Sequence, residues 1–80
     1  MPVVPAKSKV DWYLVSRVKQ MRLDAGMSQE ELAIHLGVSK GYLGHVESPK
    51  FSAKYNTNHL NMLAKIFKCS PKEFWPDKAL

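Results

Sequence analysis

"SQEELAIHLGVSKGYLGHVES", residues 28–48, predicts two short helices joined by a tight turn. Ser28 and Glu31 have the spacing of a capping box, in which each side chain accepts a hydrogen bond from the backbone N–H of the other, so a helix should begin after Ser28. Gly37 can adopt the left-handed conformation that ends many helices, and Ser39 can cap the second helix. Because a short connection containing glycine gives a large crossing angle, the second helix is expected to protrude.

Capping residues and hydrophobic spacing predict three further helices around this pair. The first begins after Ser8 and ends at Gly26, with apolar residues recurring every three or four positions. The fourth begins at residues 56–57 and carries one apolar stripe. A short fifth helix is expected within residues 70–76, where a serine cap is followed by a proline at the first helical position. The predicted fold class is therefore all-α, a compact bundle of five helices.

The chain is short enough for a single domain. Residues 1–8, with two prolines, are expected to form a flexible N-terminal arm, residues 9–76 the folded domain, and residues 77–80 a C-terminal tail. Phe74 and Trp75 should fold back onto the core, with a dimer contact through Trp75 as the alternative.

The charge of the chain favours an anionic partner. Twelve Lys and Arg residues against seven Asp and Glu give a formal net charge of +5, with +3 in each of residues 1–26 and 51–80. Such a surface suits DNA, RNA or an anionic membrane, and solubility alone is the equally weighted alternative. No apolar run approaches roughly 18 residues, no signal peptide is recognisable, and the single cysteine, Cys69, suits a reducing compartment. A cytoplasmic, nucleoid-associated protein without a membrane partner is expected.

The stretch SRVKQMRLDAGMSQEELAIHLGVSKGYLGHVES, residues 16–48, resembles the helix-turn-helix domain of the Cro and lambdoid phage repressor family, also called XRE-type. The resemblance runs from about Val15 to Trp75, with SQEELA at 28–33 and LGVS at 36–39 among its most specific parts. It implies a lambda-repressor-like fold that binds duplex DNA and regulates transcription in a bacterium or phage.

The resemblance also implies which side chains touch DNA. Gln29 would grip a phosphate, and Arg22 and Glu47 would tie the first helix to the recognition helix, with a phosphate contact from Arg22 as an addition. Lys50 and Lys54 match loop positions that touch the DNA backbone in the family, and a solvated loop is their alternative role. The residues that match groove-facing positions are Ser39, Lys40, Gly41, Tyr42 and His45, and helical spacing adds Gly44 to that face.

Gly41 and Gly44 raise a question, because each costs about 1 kcal/mol relative to alanine inside a helix. They lie three residues apart on the outward face, with Lys40 and His45 at its edges. One explanation is that a face without side chains lets the helix backbone approach DNA closely. The other, equally weighted, is that no demand for base reading acts there and glycine is tolerated.

The sequence offers little for other chemistry. Three histidines and one cysteine are the strong soft-metal ligands, and their spacing contains no zinc-binding pair, so no metal site is expected. No glycine-rich phosphate loop and no nucleophile with its base is recognisable, so neither a cofactor nor enzymatic activity is expected.

The favoured function is a sequence-specific transcriptional repressor that binds a pseudo-palindromic site as a homodimer through helix 40–47, with half-sites about 34–36 Å apart. A contact of the N-terminal arm with DNA through Lys7 and Lys9 is a weaker expectation. The alternatives are an antitoxin or other protein-interaction module, with a toxin as its partner, and a nonspecific nucleic-acid binder that relies on charge.

Overall fold

The computed structural model describes residues 6–80, which fold into four α-helices and one 3-10 turn, without a β-strand in that range. The all-α prediction is therefore confirmed. In chain order the elements are α1 (Lys9–Asp24), α2 (Gln29–Leu36), α3 (Lys40–Glu47), α4 (Thr57–Phe67) and the 3-10 turn (Pro71–Phe74). No helix within residues 6–80 combines the length and the apolar content needed to cross a membrane.

The expected fifth α-helix is a single 3-10 turn instead. The backbone N–H of Glu73 donates to the carbonyl of Ser70 at 3.0 Å, and that of Trp75 donates to the carbonyl of Lys72 at 3.1 Å. Both bonds have the three-residue spacing of a 3-10 helix. Pro76 follows at once and lacks the N–H that would continue the ladder. The segment is therefore too short for an α-helix.

Side-chain caps set the helix starts at residues that the sequence indicates. The Ser8 hydroxyl accepts a first-turn backbone N–H at 3.1 Å, and Ser28 and Glu31 form a complete capping box. Asn56 caps α4 in the same reciprocal way, but with His59 in the position where glutamate is usual. The Nδ1 atom of His59 accepts the Asn56 N–H at 3.3 Å. Imidazole therefore replaces a carboxylate in this cap.

The core lies where the inner faces of the helices meet the 3-10 turn, with α2 packed against α3 and α4. Phe74 is fully buried, whereas Trp75 remains 48% exposed, so the prediction that both fold onto the core is wrong for Trp75. Phe74 is the last residue of the 3-10 turn, whereas Trp75 after it has extended dihedral angles, so the two side chains do not share one helical face. The other buried apolar residues are Leu14, Val15, Val18, Leu32, Ala33, Leu36, Leu43, Val46, Tyr55, Leu60, Leu63 and Ala64.

The folded part of the chain begins earlier than the sequence predicts. Residues 1–5 of the expected arm lie outside the described residues. Lys7, in contrast, is only 6% exposed, and its ammonium group contacts carbonyl groups at the end of α3. Lys7, which the sequence assigns to the arm, therefore packs against the folded domain. Burial of Lys7 is also incompatible with an arm contact to DNA through this residue.

Candidate nucleic-acid interface

A three-residue turn joins α2 to α3 and fixes the start of α3. Gly37 ends α2 with a φ of 77°, in the left-handed region that favours glycine, and its N–H donates to the Ala33 carbonyl at 2.9 Å. The Val38 N–H donates to the same carbonyl at 3.0 Å. Ser39 then caps α3 by accepting the N–H of Tyr42 at 3.0 Å. These local bonds hold the two helices as one unit.

The two faces of α3 differ sharply. Leu43 and Val46 on the inner face are fully buried. Outside the local backbone, a Cβ at Gly41 would meet no heavy atom of residues 6–80 within 4 Å, and one at Gly44 would meet only the Gln29 Oε1 at 3.8 Å. Packing within the chain therefore does not require either glycine. The exposed residues beside the glycines are Ser39, Lys40 and His45.

Glu47, the acidic residue of α3, is buried in a network that neutralises its charge. The Arg22 guanidinium donates to both carboxylate oxygens, from Nε at 2.9 Å and from Nη2 at 2.8 Å, while its Nη1 donates to the Met27 carbonyl at 2.7 Å. The Gln29 amide donates to the same carboxylate at 3.0 Å. The structure thus brings Arg22 and Glu47 together in a buried, bidentate ion pair. Its burial favours this structural role for Arg22 over a phosphate contact.

One hydrogen bond and one ring stack fix side chains of α3 against the loop that follows it. The Tyr42 hydroxyl donates to the Lys54 carbonyl at 2.6 Å, and burial raises the pKa of Tyr42. The rings of His45 and Phe51 are stacked, with centroids 3.9 Å apart and planes 14° apart. Tyr42, which the family resemblance places among the groove-facing residues, therefore supports the loop with its hydroxyl, whereas His45 stays exposed on the outer face.

Cationic side chains lie in the loop that follows α3. Lys50 and Lys54 are both exposed, but the ammonium of Lys54 lies 3.3 Å from the carboxylate of Asp11 in the first turn of α1. Burial alone would raise the pKa of Asp11, but hydrogen bonds from Ser8 and Lys54 lower it overall. Asp11 therefore stays charged at neutral pH and competes with any external anion for Lys54.

Sequence reasoning missed the role of two residues in this region: it assigned Lys7 only a DNA contact of the arm, and it did not single out Phe51. The contacts of Lys7 with the end of α3 bridge 38 to 44 positions of sequence, so no local pattern predicts them. Phe51 has a weak signal, because it is an aromatic residue within an otherwise polar loop. Both become apparent only when the loop and the N-terminal segment are placed in space.

Comparisons with known proteins agree with this geometry. Residues 14–50 match the family model described as a helix-turn-helix domain. The restriction-modification controller protein C.AhdI from Aeromonas hydrophila is similar over 79% of this chain and 92% of its own, with 27% identity and a TM-score of 0.67. A mutant of the restriction-modification controller protein C.Esp1396I is similar over 85% of this chain and 84% of its own. Its 24% identity and TM-score of 0.72 show likeness of fold alone. No curated protein matches the chain.

Proposed function

We propose that this chain, which contains a helix-turn-helix domain at residues 14–50, binds duplex DNA through α3 and regulates transcription. The observation that carries the proposal is the outer face of α3, which is exposed and bordered by the cation of Lys40. It bears no exposed acid, because Glu47, the acidic residue of α3, is buried and paired with Arg22. Such a helix fits the major groove of B-DNA, which is about 12 Å wide. The similarity to a restriction-modification controller supports a regulatory role.

Within the groove, Lys40 and His45 have the hydrogen-bonding groups to read base edges. Gly41 and Gly44 lie on the same face and let the helix backbone approach the bases or sugars closely. Packing within the described chain leaves room for a methyl group at both positions, yet each glycine costs about 1 kcal/mol of helix stability. We attribute the presence of glycine at both positions to a close intermolecular contact.

Phosphate contacts come from the edges of the same surface. Gln29 is the first residue of α2, where the backbone N–H groups and the helix dipole favour an anion. Lys50 adds a cation from the loop after α3, and Lys54 adds another when a phosphate displaces Asp11. Because each such contact releases counterions from DNA, the affinity of the complex should fall steeply with salt.

A homodimer on a pseudo-palindromic site completes the proposal. Two copies present two α3 helices about 34–36 Å apart, which matches successive major grooves on one side of the duplex. Trp75 lies exposed next to Tyr13 and Pro76, in a cleft whose other lining residues are charged, and we assign the contact with a second copy of the chain to this mixed surface. The charged residues of the cleft are Arg17, Lys72, Glu73 and Asp77. A dimer bound over a promoter would exclude polymerase, so repression is the expected output.

Selection of bound sequences from a random duplex pool tests this function. We expect an enriched inverted repeat with half-site centres about 10–10.5 base pairs apart. His45→Ala should change that preference, and Lys65→Ala, which removes an exposed lysine of α4, should keep it.

Two other outcomes would contradict the proposal. Enrichment that follows charge alone, with no consensus and no affinity ratio between sequences, indicates a nonspecific binder. Failure to retain duplex DNA, combined with copurification of a toxin-like protein, indicates the antitoxin alternative.

A further inference from the structure

Lys7 closes the C-terminal end of α3. Its Nζ donates to the carbonyl of His45 at 3.3 Å, to that of Phe51 at 2.6 Å and to that of Ser48, so the three donors of the ammonium group have three acceptors. The last carbonyls of a helix lack intrahelical partners and carry partial negative charge, which favours a cation there. Burial lowers the pKa of Lys7, and the nearby Asp11 carboxylate opposes that shift.

The same ammonium group links the two residues whose rings stack. Lys7 joins the backbone of His45 to that of Phe51, while their rings lie 3.9 Å apart and nearly parallel. These contacts form a closed cycle that restricts rotation of the His45 side chain. Phe51 covers one face of the imidazole and remains 44% exposed itself, at the edge of the outer face of α3. Trp12 of α1 lies 5.6 Å from the Lys7 ammonium and anchors this cycle to the bundle.

We infer that Lys7 and Phe51 are positioning residues, which fix the imidazole of His45 for reading one base pair in each half-site. This inference rests on the proposed DNA-binding function. A side chain that is already held in its bound orientation loses less conformational entropy on binding the matching base, and it cannot reorient to suit another base, so it discriminates more strongly between bases. Removing the ammonium group of Lys7 or the ring of Phe51 should therefore relax base preference at one position and leave the phosphate contacts intact.

Lys7→Met and Phe51→Leu test this role in the full chain. Methionine keeps the apolar stem of Lys7 without its N–H donors, and leucine keeps the apolar character of Phe51 without a ring to stack. Lys65→Met, at an exposed position of α4, is the matched control. After random-pool selection, both test variants should still enrich the inverted repeat. They should lose about tenfold of the preference at the position that His45→Ala also affects, and Lys65→Met should keep it.

The outcomes separate this inference from the proposed function. If the wild type enriches a repeat and both variants keep its full base preference, Lys7 and Phe51 have no positioning role while DNA binding stands. The same conclusion holds if both variants lose affinity equally for all sequences. If the wild type enriches nothing, both proposals fail.

A measurement without DNA guards against a folding defect. Nuclear Overhauser effects between the ring protons of His45 and Phe51 are expected in the free wild-type protein, and their absence overturns the inference. Should Lys7→Met fail to fold, the base preference of Phe51→Leu decides alone.

Discussion

Replacing each glycine on the outer face of α3 by alanine separates stability from DNA binding. A Cβ at Gly41 has open space around it, and one at Gly44 would sit at an ordinary van der Waals distance of 3.8 Å from Gln29 Oε1. With no clash to offset the gain in helix propensity, each substitution should stabilise the fold by about 1 kcal/mol. For a domain of this size, the melting temperature should rise by about 4–8 °C for each.

The same methyl groups should weaken DNA binding. If the backbone of α3 lies against the DNA, a methyl group at either position pushes the helix outward and disturbs the contacts of Lys40 and His45. We expect a loss of about tenfold or more in affinity for the selected duplex, which corresponds to about 1.4 kcal/mol. Fluorescence anisotropy at fixed salt and well below the melting temperature measures this loss, and urea unfolding measures the stability.

Gly37→Ala is the matched control for backbone conformation. Gly37 has a φ of 77°, so alanine there should destabilise the fold by about 1–2 kcal/mol, the opposite sign from the α3 variants. Alanine variants of Gly41 and Gly44 that are more stable and bind DNA as tightly as the wild type would refute close approach. In that case, the glycines are merely tolerated.

Three further substitutions test the network, the core and the phosphate contacts. Arg22→Met leaves the Glu47 carboxylate buried without its cation, so urea unfolding should show a loss of about 3–5 kcal/mol; a loss below 1 kcal/mol contradicts the role of the pair. Burial raises the pKa of Tyr55, so wild-type stability should fall as the pH rises above the ordinary value of 10.0, and Tyr55→Phe should lose less over that range. An equal fall in both proteins contradicts this assignment. Lys50→Ala should lower the salt slope of DNA binding by about one, whereas Lys65→Ala should not; equal slopes rule out a phosphate contact.

The helix-turn-helix could be read from the sequence because its signals are local. Ser28 and Glu31 satisfy each other's backbone N–H groups, and Gly37 supplies a positive φ, so the bounds of α2 and α3 agree with the expected ones. The last turn was harder to predict, because Ser70 marks a start for a 3-10 helix as well as for an α-helix. Only the packed structure distinguishes the buried Phe74 from the exposed Trp75.

Some features of the candidate site have a signal in the local sequence, and others depend on contacts between distant residues. Helical spacing alone indicates that Gly41 and Gly44 share a face with His45. The hydroxyl of Tyr42 bonds to the loop, and the ammonium of Lys7 bonds to the end of α3, and neither contact has a signature at short sequence separation. The pairing of Arg22 with Glu47 was expected from the family resemblance, whereas the supporting contacts of Tyr42 and Lys7 were beyond prediction from pattern alone.

An NMR titration of the protein with the selected duplex tests the central claim most directly. If the outer face of α3 lies in the major groove, the Hα protons of Gly41 and Gly44 should show intermolecular Overhauser effects to base or sugar protons. The amides of residues 39–45 should shift most. Contacts that fall instead on α1 or α4, with the α3 glycines unperturbed at saturation, would contradict the account.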